Sequence, residues 1–131
     1  MEDCIFCKIM NGELPSKTIY EDDLIKVIMN INPNTNGHLL VIPIKHYTNI
    51  LDLDEKVLNH SFKIVREVIY PMLKEKLNIK GLTLAQNNEL GQEIKHFHLH
   101  LMPRYDNDLM EFTYNKDLLL DLDEVYNKLS N

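Results

Sequence analysis

Cysteine is scarce in this chain, basic residues are not clustered, and long apolar runs are missing. Two cysteines, Cys4 and Cys7, occur in 131 residues. Lying three positions apart, they are a poor basis for a disulfide framework. No window of 18 apolar residues exists, so no transmembrane helix is expected. No Lys/Arg cluster is present and the net charge is −6, which argues against a partner such as duplex nucleic acid. A small phosphorylated ligand stays open, because it needs only a local anion site. Met1-Glu2-Asp3-Cys4 is acidic and has no apolar signal core. Together with the few cysteines, this points to a reducing cytoplasm, with no membrane partner. There is no internal repeat and no linker. With 44% hydrophobic and 26% charged residues, the expectation is one soluble domain over 1–131 with a sizeable core.

The most informative stretch is His96-Phe97-His98-Leu99-His100-Leu101-Met102-Pro103-Arg104. Three histidines alternate with three apolar residues. On a strand, successive side chains point to opposite faces, so this segment presents three imidazoles on one side and an apolar row on the other. A helix would scatter the histidines around its axis. Pro103, which cannot donate to a ladder, predicts the end of the strand. Such a row suits either a shared metal ion or chemistry at phosphorus or an acyl group, with one neutral imidazole as nucleophile and the others assisting. The stretch alone does not separate the two.

At the other end, Cys4-Ile5-Phe6-Cys7-Lys8-Ile9-Met10-Asn11-Gly12 predicts a short helix, with Ile5 and Ile9 four apart and Gly12 as the stop. The cysteines then lie one turn apart. They read as half of a zinc site, as two buried thiols, or as a redox pair, the last lacking the strand that normally precedes it.

Between these ends, Thr18–Glu21 and Leu24–Met29 flank Asp22-Asp23 as a hairpin. Asn30–Gly37 is a loop. His38-Leu39-Leu40-Val41-Ile42-Pro43 is a short strand whose leading histidine, taken alone, reads as a solvated residue. Leu53–Leu77 carries Leu58, Phe62, Val65, Ile69, Met72 and Leu73 at helical spacing, with Pro71 predicting a kink or a break. Asp52 and Glu55 resemble a capping box at its start. Leu82–Gln86 is a strand, Asn87–Gln92 a polar turn, and Leu122, Val125, Tyr126 and Leu129 mark a last short helix. The order predicts an α+β fold: an antiparallel sheet of about five strands with one long helix packed on it.

The histidine stretch resembles the signature of the histidine-triad (HIT) family, His-φ-His-φ-His-φ-φ. Cys4–Ile9, Gly12–Ser16, Tyr20–Asp23, Gly37–Pro43 and Gly91-Gln92 resemble further family blocks in family order. The resemblance implies a nucleotide-binding domain, usually a homodimer, that cleaves nucleoside phosphoramidates or dinucleoside polyphosphates through a nucleotidyl-histidine. Carried over by position, His98 is the nucleophile, flanked by His96 and His100. His38 is the fourth site histidine, and Gln92 a phosphate contact. Ile5, Phe6, Ile9 and Ile28 match the wall for a purine base, Asn30 the ribose contact, and Asn87 the phosphate loop. The Cys-x-x-Cys subgroup implies a structural zinc on Cys4, Cys7, His46 and His96, with no metal needed for the chemical step. Three positions depart from the family pattern. Asn30 replaces the usual aspartate, the Asn87–Gln92 loop is about two residues short, and Glu93 stands where other branches carry Ser or Thr. An alternative from a different class is a nucleotide-binding interaction protein with vestigial turnover. A metal-dependent hydrolase is a third reading.

Overall fold

The computed structural model describes residues 3–130. Its centre is one five-stranded antiparallel sheet, with strand order β1-β2-β3-β5-β4. The strands are β1 (Thr18–Glu21), β2 (Ile25–Met29), β3 (Leu39–Pro43), β4 (Gly81–Ala85) and β5 (Leu99–Arg104). The short helix α1 (Ile5–Met10) covers one face. The other face is covered by α2 (Glu55–Ile64), which continues through a π-helical turn (Val65–Ile69) into α3 (Tyr70–Leu77).

The two-sided cover explains the sequence of the middle strands. Val27, Leu39, Val41, Phe97, Leu99 and Leu101 join Val57, Ile64, Ile69 and Leu73 in the larger core. Ile28, Leu40 and Ile42 point the other way and pack on Phe6 and Ile9 of α1. Strands buried on both faces have no polar row, so β3 reads as a continuous apolar run and β2 is broken only by Lys26. Each fully buried large side chain contributes about 1.5–3 kcal/mol.

Pro71 does not break the long helix. It has no N–H for the carbonyl four residues back, and its ring would press on that carbonyl. The helix widens instead. The Tyr70 N–H donates to the Val65 carbonyl, five residues back, and the π turn absorbs the proline. Asp52 is not the cap that the sequence pattern predicts. Its carboxylate accepts from the Thr48 and Asn49 N–H groups at 3.0 Å each, closing the loop before the helix, while Asp54 occupies the N-cap without a side-chain bond. Asp22, in the β1–β2 turn, accepts from His60 Nε2 of α2 at 2.6 Å and from the Tyr20 hydroxyl at 2.7 Å, fastening hairpin to helix.

The histidine strand is shorter at its start and longer at its end than the alternation predicts. Regular pairing begins at Leu99, opposite Val41. Before that, residues 96–98 are bonded to the turn after β3, through Phe97 N–H to the Tyr47 carbonyl at 2.7 Å. At the far end, Pro103 stays in the strand, opposite Leu82. Its backbone faces the side where β3 has already ended at the Leu39–Leu101 pair, so no ladder donor is missed. There its carbonyl accepts from the Thr35 hydroxyl at 3.2 Å. The C-terminal helix α4 (Leu122–Leu129) forms as expected but buries none of its residues. Among the described residues, no helix is long and apolar enough to cross a membrane.

Candidate active site and metal cluster

Strand register gathers the catalytic candidates. His100 lies directly opposite Leu40 on β3 and opposite Ala85 on β4. Opposed residues share a face, and His38 is two positions from Leu40, so His38 and His100 meet diagonally on the α1 side. The ring of His98 stands 5.0 Å from that of His100 and 5.1 Å from Phe6 of α1, centroid to centroid. His38 is 2% exposed, His98 8% and His96 0%. The reading of His38 as solvated is thereby corrected, since Asn34 of the preceding loop and His100 of β5 close over its ring. Gly37, at φ +87°, lets the chain enter β3 close against α3, where a Cβ would lie 2.7 Å from Leu77 Cδ1.

Hydrogen-bond partners fix each imidazole tautomer, because backbone carbonyls only accept and backbone N–H groups only donate. His98 Nδ1 lies 2.8 Å from the His96 carbonyl, so Nδ1 carries the proton and Nε2 has a bare lone pair. The Asn34 N–H donates to His38 Nδ1 at 3.1 Å. His38 Nε2 therefore carries its proton and donates to His100 Nδ1 at 2.9 Å. His100 in turn holds its proton on Nε2. One acceptor-ready imidazole thus stands beside one donor-ready imidazole.

Burial keeps these rings neutral. It pushes His38 below the ordinary histidine range. His98 is also lowered by burial, against the His96 carbonyl and the Glu93 carboxylate, which favour its charged form. His100 falls to about 4, through burial first and then the nearby His98 and His38. A neutral imidazole at pH 7 is the nucleophilic form.

The histidines open on a cleft of about 1050 Å³. Ile5, Phe6, Ile9 and Ile28 form an apolar wall, and Asn30, Asn87, His38, His98 and His100 also line it. Of the catalytic and nucleotide-contact candidates, Gln92 alone is missing from the lining. Its amide donates to the Thr48 and Ile94 carbonyls at 2.6 and 3.0 Å, and its oxygen accepts from Glu89 N–H at 3.1 Å. Sequence reasoning missed Asn34 and the segment Leu109–Phe112, which also borders the cleft. Asn34 acts through its main chain, which carries no side-chain signature. The apolar Leu109, Met110 and Phe112 in a polar tail were the available hint. Asp108 holds that segment, clasped by Arg104 Nε and Nη2 at 2.8 and 3.0 Å and accepting from Tyr105 and Met110 N–H.

A second cluster lies next to the first. His96 Nε2 donates to the Pro43 carbonyl at 3.0 Å, which leaves Nδ1 bare. That nitrogen faces Cys4 Sγ at 3.3 Å, Cys7 Sγ at 3.5 Å and His46 Nδ1 at 3.1 Å. The four donor atoms all lie within 4.8 Å of one another. A tetrahedral zinc with two sulfur and two nitrogen ligands places its donors about 3.3–3.8 Å apart. The donor set and its spacing fit that ion. Between the two facing imidazole nitrogens, either a proton on His46 Nδ1 or a shared cation completes the contact. Burial and the neighbouring Cys4 push the Cys7 thiol up to about 11, and a bound metal would displace that proton. The Cys7 N–H donates to Cys4 Sγ at 3.3 Å, orienting one ligand, as the Pro43 carbonyl orients another.

The chain matches the HIT domain over residues 11–107. It belongs to the HIT family. A HIT-like protein of Methanocaldococcus jannaschii is 38% identical over 128 residues, covering 96% of this chain and 98% of the relative. An adenosine 5'-monophosphoramidase of Saccharomyces cerevisiae is 32% identical over 104 residues, covering 79% of this chain and 63% of the relative. A zinc-bound histidine triad family protein of Mycobacterium smegmatis superposes with a TM-score of 0.78 at 32% identity, covering 87% of this chain and 84% of that one. In this HIT chain, α1 joins the two clusters. Cys4 and Cys7 bracket Phe6, whose ring stands edge-on to both His96, at 5.8 Å, and His98, at 5.1 Å.

Proposed function

We propose that this HIT protein is a nucleotide hydrolase, cleaving nucleoside phosphoramidates or dinucleoside polyphosphates through a nucleotidyl intermediate on His98. One observation carries the reading: the His96 carbonyl takes the Nδ1 proton of His98, which leaves Nε2 bare in the cleft. Nε2 attacks the α-phosphorus, an Nε2–P bond forms, and the bond to the leaving group breaks with its electron pair. The Nδ1 proton, shared with the carbonyl, stabilises the positive charge that His98 gains. His100 Nε2–H donates to a phosphoryl oxygen or to the departing atom, with His38 as the donor that fixes its orientation. Water then attacks phosphorus, the Nε2–P bond breaks, and a nucleoside monophosphate leaves.

The apolar wall of Ile5, Phe6, Ile9 and Ile28 takes a purine base, and Asn30 takes the ribose. The yeast relative's phosphoramidase activity supports the substrate class. Gln92 acts through the loop it ties together rather than through a direct contact with the phosphate. Cys4, Cys7, His46 and His96 hold a structural zinc, which supplies a cross-link between α1 and the catalytic segment. The chain works as a homodimer, with the exposed Phe62 and Val68 of the long helix in the interface.

The test is turnover of adenosine 5'-phosphoramidate and of diadenosine polyphosphates by wild type and His98→Ala, each with brief exposure to a chelator. Turnover that survives chelation and vanishes in the variant is expected. Instant loss on chelation would favour a metal-dependent hydrolase, and no turnover at all a binding protein.

A further inference from the structure

The cleft has an unusual charge complement for a site that binds phosphate. Among the described residues, no lysine or arginine lines it. Its charged side chains are Glu93, Asp108 and Glu111. Asp108 is neutralised by Arg104. Glu93 has no ion-pair partner among the described residues. The nearest cation in sequence, Lys95, spends its ammonium on the Glu89 and Gln92 carbonyls at 3.3 and 2.7 Å. Glu93 is an exposed residue five positions before His98, in the segment that leads from β4 into the histidine strand.

The sign of the charge that develops at the leaving atom separates the two substrate classes. When His98 displaces an amine, His100 Nε2–H first protonates the nitrogen and positive charge builds on it. The P–N bond breaks with nitrogen keeping the electron pair, and the amine leaves neutral and takes a second proton from water. When it displaces a polyphosphate, the P–O bond breaks and negative charge grows on oxygen. A carboxylate lining the cleft that receives the leaving group assists the first and opposes the second. A polyphosphate also brings several negative charges into a cleft with no fixed cation to meet them.

We propose that Glu93 determines leaving-group specificity, so that the site acts on nucleoside 5'-phosphoramidates with positively charged leaving amines and discriminates against polyphosphates. This rests on the nucleotide-hydrolase reading above and narrows it. One phosphoryl charge is met by the neutral histidines and their N–H groups, and the ammonium end of the substrate is met by Glu93. The substrate class is then a nucleotide joined through a P–N bond to an amino compound that carries a second, protonated amine.

The experiment compares three substrates at one fixed Mg²⁺ concentration: the 2-aminoethyl amidate of adenosine 5'-monophosphate, the isosteric neutral propyl amidate, and diadenosine tetraphosphate. Wild type should favour the aminoethyl over the propyl amidate by about fivefold in kcat/KM, the size of one exposed charge contact. Glu93→Gln should abolish that preference and raise turnover of the tetraphosphate. The aminoethyl-to-tetraphosphate ratio should fall by about tenfold or more. Glu93 is exposed, so the variant should melt with wild type, which thermal unfolding checks. A ratio unchanged within about twofold would overturn the assignment while leaving hydrolysis intact. If wild type turns over none of the three, the hydrolase reading fails separately. Calorimetric affinities for the two amidates then decide the role of Glu93: a wild-type preference lost in Glu93→Gln supports it, and equal affinities overturn it.

Discussion

Acid should unfold this protein early, and His100 should account for a measurable share of the loss. In the folded state its proton affinity falls from 6.5 to about 4, through burial and then the neighbouring His98 and His38. An unfolded chain releases the strain and titrates at the ordinary value. Between those limits the unfolded state binds one more proton than the folded state, so stability rises with pH and falls as pH drops. The stability is fully present above 6.5, is lost progressively below it, and levels off near 4. One group of this kind changes unfolding free energy by about 1.4 kcal/mol per pH unit. From pH 6.5 to 4.5 the loss from His100 alone reaches about 2–3 kcal/mol. His38 and His98, shifted in the same direction by burial, steepen the slope. A metal held by Cys4, Cys7, His46 and His96 would also be lost to protons in acid, so the measurement is a difference. Urea unfolding of wild type and His100→Asn, from pH 7.5 to 4.5, should give slopes that differ by about one proton. Parallel slopes would refute the claim that His100 is held neutral by its surroundings.

Three further outcomes are expected. Protein purified without added metal should carry about one Zn²⁺ per chain, and chelation or Cys4→Ser with Cys7→Ser should lower the melting temperature before activity falls. A zinc content near zero in folded, active protein would show that Cys4 and Cys7 are only buried neighbours. Phe97→Ala, at a core position 2% exposed, should cost about 3–5 kcal/mol by denaturant unfolding, and a loss under about 1 kcal/mol would mean that the core collapses around the gap. Sedimentation should give a homodimer at micromolar concentration, and a monomer there would remove the long helix from any interface.

Much of this arrangement was legible in the sequence because it rests on side-chain pattern. The period-2 alternation from His96 to Leu101 placed an imidazole row opposite an apolar row, and the structure puts Phe97, Leu99 and Leu101 in the core beneath the long helix. The Cys-x-x-Cys spacing and the family blocks brought together four residues whose donor atoms the structure sets within 4.8 Å of one another. What was not legible depends on main-chain partners or on relief of local strain. The Asn34 N–H and the His96 and Pro43 carbonyls fix three tautomers, yet any residue could supply them. Pro71 signals a kink, but whether the helix breaks or widens depends on packing on both sides of it. Asp52 and Glu55 match a capping pattern, but the loop before the helix offers two N–H groups that win the carboxylate. Glu93 was visible in the sequence as a departure from the family pattern, but its place in a cleft lined by no described lysine or arginine was not.

The most direct test is to catch His98 carrying the nucleotide. Wild type mixed with adenosine 5'-phosphoramidate labelled at phosphorus, quenched in alkali within one turnover and digested, should yield one labelled peptide spanning residues 96–104. Fragmentation should place the nucleotidyl group on His98, and His98→Ala should show no label. Label on His100 or His38, or hydrolysis at the wild-type rate by His98→Ala, would contradict the account.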